Sequence, residues 1–387
     1  MKVAIVGRGT SAIITCLVLL QNNHEVTIFY DPEKPYINVG ESTTPGIWEL
    51  IYDVLKIDIH EMVDRNIFSY KMGINFVNWG CGKTFHHNFL TKTAHHFETQ
   101  IFNDFIHNEL NQRKLVNYIP KKINSIISEN NHVKLDEYFF DFAINCAGWE
   151  DDENYLNVIF KTVDSAVTFI DDLDYDPVHT LHLATEDGWQ FGLPFPKQNI
   201  FKCGYLYNSD YITEEKIKNK LNKKIRSSFS WKPRYAKELI THHRIALNGN
   251  RLFFLEPLQA LSLYYTHYFA ILICNYLNQL NDFSRIDFNH KYLYQMYVYQ
   301  VSLAYHYQFG SIHDTEFWKN TKNKASEFMK YTFNGNMEVF KKNLSYDLYK
   351  HNLNHGNLTY SKIGCFDILD HKQLYCGMTG EKIDKYS

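Results

Sequence analysis

The sequence Gly-Arg-Gly-Thr-Ser-Ala at residues 7–12 has the glycine spacing of a dinucleotide-binding turn. It follows a short apolar run and precedes a predicted helix, as such a turn requires. Gly7 would make the tight turn, Gly9 would let the backbone approach a pyrophosphate, and Ala12 would keep helix and strand close together. Asp31 ends the next predicted strand, where a carboxylate can bind a ribose hydroxyl. We therefore predict nucleotide binding, with an ordinary βαβ unit that has a glycine turn as the alternative.

Lys71 is the only charged residue in the stretch 69–79, which alternates apolar and other side chains. This period of two is typical of a half-buried strand. Lys71 would lie on the opposite face from a row of apolar residues: Tyr70, Met72, Ile74 and Phe76. Composition alone favours a solvent-exposed lysine there, because lysine is rarely buried. A chemical role would be favoured by burial, which lowers the pKa of a lysine by disfavouring its ammonium form.

A second candidate site lies at residues 256–259, where Glu-Pro-Leu-Gln opens a long apolar stretch that is predicted to be helical. Pro257 suits the first turn of a helix, which predicts Glu256 as the N-cap. Gln259 would then be the third helical residue and could bond back to the N–H group of the N-cap. The N–H groups at Leu261 and its neighbours would be unpaired, so this helix start could also bind an anion.

The rest of the chain is predicted to alternate helices and strands. Apolar side chains at helical spacing predict a helix over residues 96–115. Residues 42–45, Ser-Thr-Thr-Pro, either wrap a cofactor or cap an amphipathic helix over 47–55. Residues 188–196 are a rigid segment rich in aromatic residues and proline, with an ordinary edge strand ended by proline as the alternative to a functional role.

Composition and charge exclude several classes of protein. The chain has 387 residues and a net charge of −3, which gives no general reason to expect a nucleic acid or an anionic membrane as a partner. Its seven cysteines form no Cys-x-x-Cys pair, and their odd number argues against a disulfide framework. The paired histidines have no metal-ligand spacing, so no metal is predicted. No apolar run approaches the roughly 18–20 residues that span a membrane, so we expect a soluble, cytoplasmic protein.

Taken in order, the motifs resemble those of the flavin-dependent halogenases of the tryptophan-halogenase type, from the N-terminus to about residue 330. Four motifs carry this resemblance: Gly-Arg-Gly-Thr-Ser-Ala, Val-Gly-Glu-Ser-Thr-Thr-Pro, Ser-Tyr-Lys-Met-Gly-Ile-Asn-Phe-Val-Asn-Trp and Phe-Leu-Glu-Pro-Leu-Gln. Residues 188–194, Gly-Trp-Gln-Phe-Gly-Leu-Pro, and residues 314–318, Asp-Thr-Glu-Phe-Trp, are similar to two further family signatures.

The resemblance implies an α/β protein with the FAD-binding, two-dinucleotide-domain fold, which is Rossmann-like and shared by flavin monooxygenases and halogenases. A second β-sheet and a helical C-terminal region would complete this fold. We expect residues 1–150 and 240–282 to form a discontinuous FAD-binding module. Residues 151–240 would form a β-rich module on the substrate side, and residues 283–387 the helical region.

The resemblance also implies the cofactor and co-substrates. FADH2, supplied by a separate flavin reductase, would react with O2 and chloride, bromide or iodide to give hypohalous acid. The halide ion would lie against the backbone of Leu261 and Ser262. The residues expected to bind FAD are Gly7, Gly9, Thr10, Ser11, Ala12, Asp31, Val39, Glu41, Ser42, Ile123, Gly249 and Asn250.

Lys71 matches the family lysine that handles hypohalous acid beside the organic substrate, after the acid has passed down a tunnel. An ammonium group could polarise the acid, and a neutral amine could carry the halogen as a haloamine. Trp189, Phe191 and Pro194 match the family signature that keeps the substrate away from the flavin, so that halogenation occurs rather than oxygenation.

Two departures from the family pattern bear on activity and substrate. Gln259 stands where the family has a glutamate, and an amide cannot take the proton from a halogenated arene. The segment between Trp79 and His96 is shorter than in the tryptophan-specific members, which favours an electron-rich aromatic substrate, indole-like or phenol-like, in a more open site. A homo-oligomer is compatible with the sequence. The alternatives are a reduced-flavin monooxygenase that uses no halide and a non-catalytic FAD-binding relative.

Overall fold

The computed structural model describes residues 1–36, 40–89, 93–150, 153–332, 366 and 368–381. Its strands are β1 (Lys2–Val6), β2 (Glu25–Phe29), β3 (Gly40–Ser42), β4 (Ser69–Lys71), β5 (Gly73–Val77), β6 (Phe85–Asn88), β7 (Ala94–Glu98), β8 (Val116–Ile119), β9 (Ile126–Ser128), β10 (Val133–Leu135), β11 (Tyr138–Phe140), β12 (Phe142–Asn145), β13 (Tyr155–Asn157), β14 (Ser165–Asp172), β15 (His179–Thr185), β16 (Gly188–Phe195), β17 (Ile200–Tyr207), β18 (Ile225–Ser230), β19 (Arg234–Ala236), β20 (Ile240–His242), β21 (Ile245–Leu247) and β22 (Phe253–Phe254). Its α-helices are α1 (Thr10–Gln21), α2 (Ile47–Leu55), α3 (Ile59–Asp64), α4 (Thr99–Gln112), α5 (Glu214–Leu221), α6 (Leu261–Leu277), α7 (Asp282–Tyr307), α8 (Glu316–Thr332) and α9 (Ile368–Thr379).

The chain divides into two compact units. The first unit has three segments: Met1–Tyr70, Ala94–Asn157 and Lys232–Tyr294. The second unit has three others: Lys71–Thr93, Val158–Trp231 and Gln295–Ser387. The boundaries between the two units include one within β4 and one within α7. The three-module division expected from the resemblance stays a prediction.

The first unit contains a six-stranded sheet in the order β20-β21-β12-β1-β2-β8. All neighbours from β21 to β8 are parallel, and only β20 is antiparallel to its neighbour. Parallel strands are covered on both faces and are therefore apolar throughout, as the fully buried Val3, Ala4 and Ile5 show. β1, α1 and β2 form the βαβ unit that the glycine spacing predicted, which confirms the α/β fold.

The predicted helix over residues 96–115 begins later, because α4 starts at Thr99. The residues before it form β7, which pairs with β3. His95, His96 and Phe97 are all buried. Consecutive buried side chains suit a strand that is covered on both faces, whereas a surface helix buries only one side. The helix prediction is therefore wrong over residues 96–98, and also over residues 113–115, because α4 ends at Gln112.

The second unit contains a seven-stranded sheet in the order β18-β14-β17-β16-β15-β5-β6. Its pairs are antiparallel except for β15 with β5. β16 lies between β15 and β17, so the alternative of an ordinary edge strand over residues 188–196 is wrong. Trp189, Leu193 and Pro194 are all buried, which shows that packing covers both faces of this strand.

The predicted strand around Lys71 is interrupted. β4 ends at Lys71 and β5 begins at Gly73, and the two strands belong to different sheets. Met72 lies at the interruption, where its N–H group donates to the carbonyl oxygen of Val178 over 2.8 Å. Its side chain is exposed, so the predicted apolar face does not continue through Met72. The alternation of buried and exposed side chains does not continue from β4 into β5, because each strand buries its side chains against a different sheet environment.

Candidate functional site

The first βα turn has the geometry that its glycines require. Gly7 has a φ of +124°, and a Cβ atom added there would lie 2.7 Å from the carbonyl oxygen of Cys146. Gly9 is extended, and a Cβ atom added there would meet no described atom within 4 Å. Ala12 is fully buried in α1. Gly7 therefore makes the turn, while Gly9 borders open space that a phosphate can enter.

The first turn of α1 contacts two other segments of the first unit. The Thr10 hydroxyl donates toward Glu41 Oε1 over 3.4 Å and toward Asn103 Oδ1 over 3.2 Å. Gly249 lies against Ser11 with a φ of +60°, and a Cβ atom added to Gly249 would clash with the Ser11 side chain. Gly249 therefore allows this close approach at the start of α1.

Glu41 links the starts of two helices. Its Oε1 accepts a hydrogen bond of 2.6 Å from the hydroxyl of Thr99, the first residue of α4, in addition to the bond from Thr10. Partial burial raises the pKa of Glu41, and these two hydrogen bonds act in the opposite direction. A carboxylate complements the positive ends of both helices. Ser42 follows Glu41 in β3, and Val39 lies outside the described residues.

The other predicted cofactor residues make contacts of their own. Asp31 follows β2, and its Oδ1 accepts a hydrogen bond of 3.0 Å from the N–H group of Glu33. Ile123 is partly buried against an apolar cluster of the first unit. Asn250 lies in a 3₁₀ turn directly after Gly249. The contacts above link Thr10 with Glu41 and Ser11 with Gly249 at the start of α1, whereas those described for Asp31 and Ile123 are with other residues.

Sequence reasoning missed Arg8, which lies between the two glycines of the turn. Its guanidinium carbon is 4.8 Å from the ring centroid of Tyr30 and 5.7 Å from that of Tyr36. Its Nε atom is buried and has no hydrogen-bond partner among the described residues. A cation held beside the start of α1 is suited to a phosphate of a bound dinucleotide. The sequence signal for Arg8 was the position of a cationic residue between Gly7 and Gly9.

The second helix start differs from the prediction. α6 begins at Leu261, after a 3₁₀ turn that ends at Ala260. Gln259 and Ala260 both have a left-handed backbone, each with a φ of 59°. Two left-handed residues cannot continue the right-handed turn that Pro257 would begin, so the helix is delayed. Glu256 is therefore not the N-cap, and the capping role predicted for Gln259 is wrong.

The start of α6 also changes the expected anion site. The N–H group of Leu261 donates to the carbonyl oxygen of Leu258, so the prediction of an unpaired donor at Leu261 is wrong. Ala260 is the N-cap residue, and no described side chain caps the helix. Ser262 is the second residue of the helix. Halide binding against Leu261 and Ser262 stays a prediction, and the Leu261 N–H group is already engaged.

Lys71 is buried in the second unit, with an exposed fraction of 1%. The solvent exposure that composition favours for Lys71 is therefore wrong. Lys71 Nζ lies 5.5 Å from the ring centroid of Phe89, within the range of a cation–π interaction.

Buried imidazoles share the second unit with Lys71. His87 Nε2 lies 2.9 Å from Asp370 Oδ1. Burial, followed by the charge of Lys71, holds the pKa of His182 well below its usual value. Burial lowers the pKa of His306 to about 3 and that of His371 to about 4. His182, His306 and His371 are therefore neutral at pH 7, while the lysine carries a charge that acts on His182.

The tryptophan–proline signature lies on β16. Trp189 is fully buried and Phe191 is half-buried, and their ring centroids are 6.4 Å apart. Pro194 is also buried and pairs with Phe201 of β17. The signature is therefore part of the interior of the seven-stranded sheet, where neighbouring strands on both sides hold its rings in place.

In the part of the chain that the structure describes, no group of three or more His, Cys, Asp or Glu side chains could hold a metal ion. The adjacent histidines His86 and His87 illustrate the reason, because the side chain of the first is exposed and that of the second is buried. No helix of the described ranges is long and apolar enough to cross a membrane.

Comparisons with known proteins agree with this geometry. A profile of the family described as tryptophan halogenase matches residues 2–122 and 91–379. The tryptophan 7-halogenase RebH of Lentzea aerocolonigenes is 20% identical in an alignment of 418 positions, gaps included, that spans 83% of this chain and 78% of RebH. The tryptophan 6-halogenase ThaL of Streptomyces albogriseolus is 33% identical in an alignment of 105 positions, gaps included, that spans 22% of this chain and 20% of ThaL.

A solved structure is similar over nearly the whole chain. The tryptophan halogenase from Shewanella frigidimarina superposes with a TM-score of 0.81 at 16% identity, covering 99% of this chain and 89% of that chain. At this identity the likeness shows the fold alone, and it confirms the predicted halogenase-like fold.

Proposed function

The chain belongs to the tryptophan halogenase family, and we propose that it halogenates an electron-rich aromatic compound, indole-like or phenol-like, with reduced FAD, O2 and a halide ion. The observation that carries the proposal is the burial of Lys71, which is 1% exposed beside an aromatic ring. A lysine is rarely enclosed in this way without a function. It lies in the motif that resembles the family's halogen-handling segment.

The first unit has residues that fit FAD. Gly9 borders open space, and the Arg8 guanidinium has a buried nitrogen without a partner among the described residues. These two residues and the start of α1 would hold the pyrophosphate, and Asp31 would hold a ribose hydroxyl. When bound, reduced FAD supplies, together with O2, the oxidising power that converts halide into hypohalous acid. A separate flavin reductase would provide the reduced cofactor.

Lys71 would act on the hypohalous acid as a proton donor. Its ammonium group donates a hydrogen bond to the oxygen of the acid and polarises the bond between oxygen and halogen. The π electrons of the substrate then form the carbon–halogen bond, and the oxygen leaves as water with the lysine proton. The neutral amine left on Lys71 can accept the ring proton, which restores both the aromatic ring and the ammonium. This cycle needs no carboxylate at Gln259.

The imidazole of His182, which feels the charge of Lys71, would support this role. His182 is buried, and burial holds its pKa well below its usual value, so the ring is neutral. A neutral ring neither repels the ammonium of Lys71 nor supplies a competing anion. The lysine would therefore be the main proton donor to a small acid that reaches it.

Mass spectrometry of the reaction products tests the proposal. The protein is supplied with FAD, a flavin reductase, NADH and chloride, bromide or iodide in turn, over a panel of indoles and phenols. We expect at least one substrate to gain a halogen, and no product when the reductase is omitted. Absence of halogenated product with every halide would overturn the proposal. A hydroxylated product would instead support a reduced-flavin monooxygenase.

A further inference from the structure

Three buried rings of the second unit carry nitrogen atoms that no described group satisfies. Trp79 Nε1, His182 Nδ1 and Trp189 Nε1 are each buried without a hydrogen-bond partner among the described residues. The exposed fractions of these residues are 0%, 3% and 0%. The Trp189 ring centroid is 4.8 Å from that of His182 and 6.3 Å from that of Trp79. The three rings are therefore contiguous, and we call them the indole–imidazole cluster.

Strand pairing explains why these rings meet. His182 on β15 pairs with Phe76 on β5, and Trp189 on β16 pairs with Ala184 on β15. Residues 182 and 184 are two apart on one strand, so both point to the same face of the sheet. The Phe76 ring lies 5.2 Å from His182 and 5.9 Å from Trp79. The indole–imidazole cluster is thus built on one face of the seven-stranded sheet, around Phe76.

A third indole shows that unpaired nitrogens are not general in this region. Trp318 packs against Trp79 with its ring centroid 5.3 Å away. Its Nε1 atom donates to the carbonyl oxygen of Thr185 over 2.6 Å. The Trp318 N–H group therefore has an acceptor, whereas the N–H groups of Trp79 and Trp189 have none among the described residues. Buried polar groups are normally paired, so this contrast points to a guest that supplies the missing acceptor.

The chemistry of the donors limits what the guest can be. An indole N–H group can only donate, so a guest shared by Trp79 and Trp189 must accept hydrogen bonds. Water also accepts, but it brings two hydrogens of its own, and of the three unpaired nitrogens only His182 Nδ1 could accept one of them. The charge of Lys71 reaches this cluster, because it acts on His182. A nearby cation and several donors favour a guest that is anionic or electron-rich.

We propose that the indole–imidazole cluster binds one halide ion, which accepts hydrogen bonds from the unpaired donors. The identity of the natural guest rests on the proposed function, in which a halide ion is a co-substrate. Hypohalous acid could halogenate an indole ring, whereas a halide ion does not react with the rings that hold it. Binding involves no covalent step, so the cluster acts as a holding site.

Crystals of the wild-type protein soaked in sodium bromide test the location of the site. Anomalous scattering identifies bromide directly and distinguishes it from water. We expect a bromide ion within hydrogen-bond distance of both Trp79 Nε1 and Trp189 Nε1. A water molecule alone at the cluster, or bromide only at other places such as the start of α6, would overturn the proposal.

Matched variants test the same site in solution through bromide NMR line broadening. Trp79→Phe and Trp189→Phe each remove an unpaired donor, and we expect the bromide affinity of this site to fall by about tenfold or more. Trp318→Phe removes an indole whose N–H group is already bonded, so it should keep the affinity within about twofold. Equal losses in all three variants would contradict the proposal.

The two bromide measurements need neither flavin nor substrate, so they are independent of the halogenation assay. Halogenation without bromide at the cluster would overturn this inference and leave the proposed function intact. Bromide at the cluster without any halogenated product would confirm the anion site and overturn co-substrate halide as its natural guest. If a variant fails to fold, the wild-type crystals still decide the question.

Discussion

Two helix starts in the first unit are built by different means. Neither α1 nor α6 has a side-chain cap among the described residues, and their N-cap residues are Gly9 and Ala260. Before α1 the left-handed turn is made by a glycine, Gly7. Before α6 the left-handed positions are Gln259 and Ala260, both of which carry a Cβ atom.

The start of α1 is open without backbone strain, whereas the start of α6 has a strained backbone. A left-handed backbone costs a residue with a side chain roughly 1–2 kcal/mol, so the start of α6 holds strain that the glycine turn avoids. Strain of this kind persists where the surrounding structure fixes it, and it clusters at functional sites. The start of α1 is suited to a large cofactor that approaches its backbone. The start of α6 instead fixes the position of the buried Gln259 side chain.

Substitution of Gly7 should have the largest effect. Gly7→Ala places a Cβ atom 2.7 Å from the Cys146 oxygen and forces a left-handed residue. We expect the free energy of unfolding to fall by about 3 kcal/mol or more, with loss of FAD binding. Thermal denaturation and a fluorescence titration with FAD measure both quantities.

Gly9→Ala is the matched control for that change. No described atom lies within 4 Å of the added Cβ, so stability should change by less than about 0.5 kcal/mol. FAD affinity should still fall, because the methyl group enters the space that the phosphates need. Equal loss of stability in both variants would contradict the assignment of the tight turn to Gly7 and of the open space to Gly9.

Relief of strain at the other helix start should have a smaller effect of opposite sign. Ala260→Gly should raise the free energy of unfolding by about 1 kcal/mol, because glycine adopts the left-handed backbone freely. The same substitution at Ala270, which is buried within the right-handed part of α6, should lower it by about 1 kcal/mol. Denaturant titrations of both variants compare the two signs, and destabilisation by Ala260→Gly would show that this start is not strained.

Gln259→Glu should have the smallest effect. It tests whether a carboxylate at the strained start of α6 would act as a general base. The left-handed cost is similar for both side chains, so the fold and FAD affinity should be unchanged. Because Lys71 can accept the ring proton, we expect the halogenation rate to rise only about two- to tenfold. A gain of about 100-fold or more, typical of a missing general base, would contradict acceptance of the ring proton by the lysine. Initial rates of product formation decide between them.

The sequence predicted those features that depend on local pattern. The unit β1–α1–β2 was predictable because glycine spacing and apolar periodicity act within a few neighbouring residues. The burial of Lys71 was not, because burial depends on side chains that are distant from it in the sequence. The left-handed backbone of Gln259 and Ala260 was equally hidden, since neither residue type is typical of that conformation. A glycine at either position would have revealed the turn.

The indole–imidazole cluster lay beyond sequence reasoning for a related reason. Trp189 was singled out as part of a signature, but Trp79 only ended the Lys71 motif. Whether an indole nitrogen finds an acceptor depends on packing between distant segments, as the pairing of Trp318 with Thr185 shows. Sequence therefore predicts the presence of aromatic rings but not which of their polar atoms remain unpaired.

The central claim is that Lys71 handles the activated halogen. Comparison of wild-type protein with Lys71→Met, by mass spectrometry of products and by FAD titration of both proteins, tests it most directly. The account predicts that the variant binds FAD with unchanged affinity and forms no halogenated product. A halogenated product formed by Lys71→Met at the wild-type rate would contradict the claim.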